Sequence, residues 1–344
     1  MQAFDESGAK QVSGCIWIVI VNYRTPGLAV DCLRSLASQV ECLGGGRVLV
    51  MDNASGDGSA ERIHAAIGSE GWSEWAEAVA LDRNGGFAFG NNAGIRMALA
   101  ARETADYVML LNPDTIVRQG AIRALVEFMD SHPDAGIAGS LLETPAGGVD
   151  CSAHRIHSPL SELDGGARLG LLSRLLSRHV VSPPMLDVPH PCDWVSGASM
   201  LVRRQVIEDI GLMDEGFFLY FEEVDYCWRA RRAGWEVWYV PRSRVLHLEG
   251  AATGIKTAAK RRAGYWYDSR RRFFIKHYGI AGLLLADALW TIGRLSLLLR
   301  SVLHLGGKGV DADPQWFMPD LLGGDLRALA SGQAWSIRRE GEQR

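Results

Sequence analysis

Five short stretches carry side chains of the kinds that bind ribose, phosphate or metal, or that move a proton. Four occupy the first 117 residues: IVIVNYRTPG at 18–27, VMDNASGDGS at 50–59, NGGFAFGNNAG at 84–94 and LLNPDTIV at 110–117. The fifth, FFLYFEEVDYCWRARRAGW at 217–235, adds a cluster of acids. Each of the first four reads as a strand whose polar groups emerge at its C-terminal end. In an open α/β sheet those ends line the crevice where ligands bind. The pattern points to a nucleotide site that also holds a metal ion.

The first strand ends at Asn22, Tyr23 and Arg24, and Thr25-Pro26 reads as N-cap and first residue of a helix. A polar strand end before a helix N-terminus suits a base or a phosphate, although a plain strand–turn–helix explains it equally. Asp52, with Asn53, stands at the end of the second strand, placed to accept hydrogen bonds from a ribose or base. The competing role is a turn-forming Asx residue; Asp57 and Ser59 read as loop and cap. NGGFAFGNNAG has neither the GK[ST] ending of a P-loop nor the GxGxxG order of a dinucleotide fingerprint. Its Gly85 and Gly86 let the backbone approach a ligand, and Asn84, Asn91 and Asn92 supply adaptable polar groups. Asn112 and Asp114 end an apolar strand. One carboxylate there is enough for Mg²⁺, which keeps several waters; a helix cap is the competing role.

Glu222, Glu223 and Asp225 fall at a helix N-terminus, where acids gain from the helix dipole. Asp225 can pair with Arg229 one turn on. That leaves Glu222 and Glu223, whose proximity raises a carboxyl pKa and fits one of them to take a proton from a hydroxyl. His247, after the run WEVWYVPRSRVLH, reads as a satisfied structural imidazole or as one completing a metal site.

The elements that must position these residues are legible as alternation. The apolar runs IWIVIVNY, RVLVMDN and YVMLLNP are separated by the helical patterns LAVDCLRSLASQ and SAERIHAAIG, which implies a parallel sheet covered on both faces. From about 145 to 191 the pattern dissolves into Gly, Pro, Ser and His, with a short helical run at LGLLSRLLSRHV; connections of this length are usually functional or disordered. Order returns at CDWVSGASMLVRR. In 344 residues, 47% hydrophobic and 22% charged, there is ample material for a core. A net charge of -4 makes no general case for nucleic acid. Six cysteines without metal spacing read as the reduced thiols of a cytoplasmic protein. MQAFDESGAK lacks the layout of a signal peptide.

Residues 279–305 are apolar but interrupted by Asp287, Arg294 and Arg300, which argues against a membrane span. A buried amphipathic helix and a helix at a membrane surface both fit. Upstream, Lys256, Lys260, Arg261, Arg262, Arg270, Arg271, Arg272 and Lys276 stand against Asp268 alone. Such a cluster suits anionic headgroups, a pyrophosphate or simply solvent.

Together these motifs resemble the inverting nucleotide-sugar glycosyltransferases of family 2, in particular the bacterial rhamnosyltransferase-like branch, over about residues 16–277. The resemblance implies an α/β GT-A fold: a Rossmann-like, mostly parallel sheet flanked by helices. It divides the chain into a nucleotide-sugar-binding half at 16–141, an insert at 142–191 and an acceptor and catalytic half at 192–277. An amphipathic helical extension at 278–344 follows the 1–277 domain. By matching motifs Asp52 contacts the nucleotide, Asp114 the metal and diphosphate, and His247 the metal, which is Mg²⁺ or Mn²⁺. Trp194, Ser196 and Gly197 border donor sugar and acceptor, with Asp225 beside them. The second acid of the family's pair, the usual base, falls on Glu223. Two departures stand out. Asn112-Pro113-Asp114 replaces the frequent Asp-x-Asp, and Glu replaces Asp at the base, leaving Glu222 as substitute. The implied donor is dTDP-rhamnose, with UDP-hexoses next. The implied acceptor is a surface glycan or lipid-linked saccharide, reached from the inner face of the cell membrane. Two rivals are a catalytically silent glycan-binding or scaffold protein and a sugar-nucleotide nucleotidyltransferase. The latter normally shows a basic glycine-rich loop where this chain has NYRTPG.

Overall fold

The computed structural model describes residues 14–248, 261–304 and 313–342; the N-terminal stretch read for a leader, and Lys256 and Lys260 of the basic cluster, lie outside them. The strands are β1 (Ile16–Asn22), β2 (Val48–Asp52), β3 (Ala76–Ala80), β4 (Tyr107–Leu111), β5 (Thr115–Val117), β6 (Ala135–Glu143), β7 (Val149–Asp150), β8 (Ala153–His154), β9 (His190–Cys192), β10 (Trp194–Val195), β11 (Ser199–Arg203) and β12 (Glu236–His247). The helices are α1 (Pro26–Leu36), α2 (Ser59–Ser69), α3 (Gly86–Ala100), α4 (Ala121–Ser131), α5 (Pro159–Ala167), α6 (Gly170–Leu175), α7 (Arg204–Ile210), α8 (Glu222–Arg232), α9 (Gly264–Val302), α10 (Phe317–Ala330) and α11 (Gln333–Glu342). They form two compact units. The first takes the described residues up to His154, then Pro184–Glu215 and those from Tyr226 to Leu248. The second takes Arg155–Pro183, Gly216–Asp225 and the described residues beyond 260.

The first unit is built on one sheet in the order β3-β2-β1-β4-β11-β6-β12-β5. From β3 to β4 it is parallel. β11 then enters antiparallel to both β4 and β6, so the second half is mixed. All seven residues of β1 are buried, as a central strand covered on both faces requires. Ile16, Ile18 and Ile20 join Leu33 and Leu36 of α1, Ile63 and Ile67 of α2, and Leu125 and Met129 of α4 in one core. On the opposite face Val19 and Val21 receive α3. A Cβ on Gly94 would lie 2.5 Å from Val19 Cγ1, and one on Gly90 would lie 2.7 Å from Val21 Cγ1. The last two glycines of NGGFAFGNNAG that touch β1 therefore serve packing, while Gly85 and Gly86 stand at the start of α3. From Gly86 onward the stretch is helix.

The second unit is helical. Within the stretch read as irregular, Ser158 caps α5: its Oγ accepts from the Ser161 N–H while Ser161 Oγ returns to the Ser158 N–H, with Pro159 in the first turn. α5 crosses α9 at two glycines, because a Cβ on Gly166 would meet the Trp290 carbonyl at 2.5 Å and one on Gly293 the Leu163 carbonyl at 2.6 Å. α9 breaks at Gly279, whose φ of 70° an L side chain adopts only with strain.

Arg270, at the centre of the unit with its side chain 1% exposed, pairs with Glu162 and Asp287 at 2.9 Å and Asp325 at 3.4 Å. Arg271 pairs with Asp325 and Asp268, and Arg272 with Glu340. Arg261 reaches Asp320. The arginine triplet is therefore an internal ion network, which corrects its reading as a headgroup- or solvent-facing cluster. Asp287 and Arg294, which interrupt the apolar run, also turn inward. Asp287 meets Arg270, and Arg294 meets Asp313 at 2.6 Å.

Candidate functional site

Parallel register places Asn22 beside Asp52, and β4 brings Leu111 beside Ile20. The polar residues after β1, β2 and β4 therefore emerge along one edge of the sheet. Asn22 Nδ2 donates to Asp52 Oδ1 at 2.6 Å, and Thr25 Oγ1 donates to Asn22 Oδ1 at 3.0 Å. Ser55 supplies both its N–H and its Oγ to the Asp52 carboxylate, at 3.0 and 2.6 Å. Asp52 is thus an Asx-type turn former as well as a strand-end acid. A carboxylate has about four lone-pair sites, and the protein fills three. The backbone N–H and Nε of Arg24 donate to Ser55 Oγ and its carbonyl, sewing the first two loops together. Arg24 and Ala54 both adopt left-handed φ, 57° and 50°, uncommon outside glycine and concentrated at functional sites. Tyr23 stays exposed, with Arg24 over its ring at 5.1 Å. Thr25 occupies the N-cap position, but its hydroxyl is spent on Asn22 rather than on the helix.

The third motif contributes less than the sequence implies. Asn84 Oδ1 accepts the Gly86 N–H at 3.1 Å, with Gly85 at the N-cap of α3. Asn91 is wholly buried inside α3, where its amide donates a structural bond to the Phe87 carbonyl and its Oδ1 is left without a hydrogen-bond partner. Asn92 is structural too: it exchanges hydrogen bonds with Met213 and reaches Glu215. Asn53, beside Asp52 at the strand end, fixes the same corner by donating to the Gly86 carbonyl at 2.8 Å.

Asn112-Pro113-Asp114 links β4 to β5 and is fastened on both sides. The Asn112 N–H donates to the Ala198 carbonyl, and the Asp114 carbonyl accepts from the Leu248 N–H. The first bond brings the Trp194–Ala198 segment to the same edge. Trp194 stacks on His154 with ring centroids 4.0 Å apart, the Ser196 N–H donates to the Ser152 carbonyl, and Gly197 lies in the turn entering β11. The second bond brings His247, at the end of β12 opposite Thr115 in antiparallel register. His247 Nε2 lies 3.3 Å from Asp114 Oδ1 and 3.4 Å from Asn112 Nδ2.

These atoms suit a divalent metal. Asp114 Oδ1 is buried without a hydrogen-bond partner, a state that is costly unless a ligand completes it, and it faces His247 Nε2. Two ligand atoms on adjacent octahedral positions about 2.1 Å from one ion sit about 3 Å apart, close to the observed 3.3 Å. Among the described residues no group of three or more His, Cys, Asp or Glu forms a candidate metal cluster. An ion here would complete its shell with water and substrate oxygens, as Mg²⁺ commonly does.

Glu222, Glu223 and Asp225 belong to the second unit and open α8. The two residues before them, Tyr220 and Phe221, both hold left-handed φ, 72° and 68°, a strained approach of the kind found at functional sites. Glu222 is buried, and one oxygen of each glutamate lacks a hydrogen-bond partner. Burial raises the Glu223 carboxyl to about 7, partly offset by the N–H groups of Glu223 and Val224. Glu222 is pushed well above the usual carboxylate range by burial and then by the neighbouring Glu223 charge. Asp225 is held differently: Lys276 Nζ and His277 Nε2 meet its Oδ1 at 2.6 and 2.8 Å. These two partners lie in α9, and no local pattern in the sequence links them to Asp225.

The family comparisons agree with this geometry. A profile described as "Glycosyltransferase like family 2" matches residues 14–269. The N-acetylglucosaminyl-diphospho-decaprenol L-rhamnosyltransferase of Mycobacterium tuberculosis is 33% identical over 201 residues, 57% of this chain and 62% of that protein. The chain thus spans less than two thirds of that relative's length. The dTDP-rhamnosyl transferase RfbF of Shigella flexneri is 24% identical over 235 residues, 68% of this chain and 69% of its own. Among solved structures, the mannosyltransferase PcManGT of Pyrobaculum calidifontis, in complex with GDP-Man and Mn²⁺, superposes with a TM-score of 0.51 at 13% identity, covering 95% of this chain and 84% of that one. That likeness carries the GT-A fold. By its sequence profile, the chain belongs to glycosyltransferase family 2.

Proposed function

We propose that the protein is an inverting glycosyltransferase that moves a sugar, L-rhamnose from dTDP-rhamnose, to a hydroxyl of a cell-surface glycan or lipid-linked saccharide. The observation that carries this reading is the Glu222–Glu223 pair: two adjacent acids, Glu222 buried and Glu223 half-buried, each with an unpartnered oxygen, one with its pKa lifted to about 7. A carboxylate poised near neutral pH is what a general base requires. Glu223 takes the acceptor proton as the acceptor oxygen bonds to the anomeric carbon and the bond from that carbon to the diphosphate breaks. One displacement inverts the centre, and one base suffices because the leaving group is already good. Asn22, Tyr23, Thr25 and Asp52 would hold the nucleotide, with the exposed Tyr23 ring available to stack. Asp114 and His247 would hold Mg²⁺ or Mn²⁺, whose charge stabilises the departing diphosphate. Trp194, Ser196 and Gly197 would border the sugars. The donor assignment is supported by the names of the two rhamnosyltransferase relatives.

The test is release of nucleoside diphosphate from dTDP-rhamnose and UDP-hexoses, with and without Mn²⁺, for wild type and Glu223→Gln. Metal-dependent, acceptor-stimulated release that is lost in Glu223→Gln supports the reading. Equal turnover by the two proteins would move the base to Glu222, and absence of turnover with tight nucleotide binding would favour a binding protein.

A further inference from the structure

By length and composition, α9 is apolar enough to cross a membrane. Its side chains divide in an unusual way after the break at Gly279. Leu283, Ala286, Asp287, Trp290, Gly293, Arg294 and Leu297 are buried. They recur at three- and four-residue spacing on one face, against α5 and the cluster of Tyr267, Trp290 and Leu321. Both charges in this inner set are neutralised there, Asp287 by Arg270 and Arg294 by Asp313. Arg300 also turns to the protein, donating to the Ala167 carbonyl at the end of α5.

The opposite face is Ala281, Leu284, Leu285, Ala288, Ile292, Leu295, Leu299 and Val302. It holds no charged or hydrogen-bonding side chain, and its Leu, Ile and Val members are exposed by 46% to 74%. At 1.5 Å per residue it runs about 30 Å. A soluble surface rarely leaves so continuous an aliphatic stripe in water. The polarity of the helix is inverted, with ions inside and leucines outside.

What would cover the stripe is indicated by the segment beside it. α6 begins three residues beyond the Ala167 carbonyl that Arg300 binds. It exposes Leu171 and Leu175, which alternate with the exposed Arg174 and, just past the helix, Arg178. Residues 165–186 contain three arginines and no acid; Arg168 is taken by Asp313, which leaves Arg174 and Arg178. Aliphatic side chains interleaved with unopposed cations complement an anionic lipid surface. A second protein copy would need an acidic counterpart that this segment does not offer. A span is disfavoured because one side of the helix is occupied by its own unit, including a buried Asp and Arg.

We propose that the outer face of α9 from Ala281 to Val302, assisted by α6, lies in the interfacial plane of an anionic bilayer as a monotopic anchor. The proposal is independent of the reaction above. The test is flotation of the full chain with vesicles of phosphatidylcholine, with and without phosphatidylglycerol, alongside light scattering. Wild type floats with phosphatidylglycerol vesicles and is released by alkaline carbonate. Leu285→Glu/Leu295→Glu keeps the thermal midpoint and loses flotation by on the order of tenfold or more. Arg174→Glu/Arg178→Glu loses the preference for phosphatidylglycerol. Val149→Glu, an exposed apolar site in the first unit, changes nothing. Failure of wild type to float, or equal flotation by Leu285→Glu/Leu295→Glu, overturns the anchor. So does carbonate-resistant insertion, which would indicate a span, and so does a dimer that this double variant dissociates, which would assign the face to a second copy.

Discussion

His247 Nε2 and Asp114 Oδ1 approach to 3.3 Å although 133 positions separate them in the chain, because the antiparallel pairing of β5 with β12 sets Thr115 opposite His247. The carboxylate is almost fully buried yet has an unpartnered oxygen. Asp114→Asn keeps the shape and removes the charge, so it should lower turnover on the order of 100-fold or more while leaving the unfolding midpoint near that of wild type. His247→Ala should weaken Mn²⁺ binding by roughly 10- to 100-fold, read by calorimetric titration in the presence of nucleoside diphosphate. Unchanged Mn²⁺ affinity in both variants would remove the metal from this site.

A second prediction concerns pH. Glu223 titrates near 7 in the folded protein against an ordinary value near 4.3. As a base it must be ionised, so kcat/KM should rise with pH through an apparent pKa close to 7 and plateau above it. A flat profile between pH 5 and 8 would exclude Glu223 as base.

The same shift has the opposite sign for stability. Raising a carboxyl pKa on folding favours the protonated native form, so this contribution is fully present below the unfolded value and is lost as pH rises through about 7. Glu223→Gln removes that penalty. It should therefore be more stable than wild type at pH 8, by up to ~3 kcal/mol, and little different at pH 4.5. Chemical denaturation at the two pH values measures the difference.

The arginine at the heart of the second unit is set against three acids. Arg270→Ala would leave Glu162, Asp287 and Asp325 buried without their shared cation. Removing one partner of a buried ion pair typically costs ~3–5 kcal/mol, and Asp287→Asn should cost less because Arg270 keeps two acids. A loss below ~1 kcal/mol for Arg270→Ala in urea unfolding would show that the acids neutralise by protonation instead.

Gly94→Ala sets two effects against each other. Alanine is intrinsically the better helix residue by about 1 kcal/mol. Its Cβ, however, would come within 2.5 Å of Val19 Cγ1 in the fully buried β1, and overpacking typically costs ~1–3 kcal/mol. The steric term should win, giving net destabilisation. Val19→Ala combined with Gly94→Ala should recover part of it, since the two changes share one contact.

Much of the polar sheet edge was legible in the chain because it is local chemistry. Asn22, Asp52 and Asp114 each follow an apolar β-branched or leucine-rich run, and a run that must be buried delivers its next polar residue to the sheet edge. The left-handed turns at Arg24 and Ala54, and the Ser55 bonds to Asp52, carry only a weak local signal, a serine three places after an acid. The acid pair before VDYCWRARR was legible for the same reason, since helix N-termini collect carboxylates.

Tertiary structure decided the rest. NGGFAFGNNAG has the composition of a loop, but its glycines match a helix to Val19 and Val21, residues more than 60 positions earlier. The capping box at Ser158 was visible in principle and was masked by the surrounding Gly, Pro and Ser. Arg270, Arg271 and Arg272 look like a surface patch until Glu162, Asp325 and Glu340 are brought to them from three other helices and Asp287 from beyond the break in α9. The periodicity of α9 divides its residues between two faces, but it cannot say which face turns inward when one carries leucines and the other carries ions with distant partners. Burial of a charge depends on its partner, and partners 17 to 108 positions away are supplied by the fold.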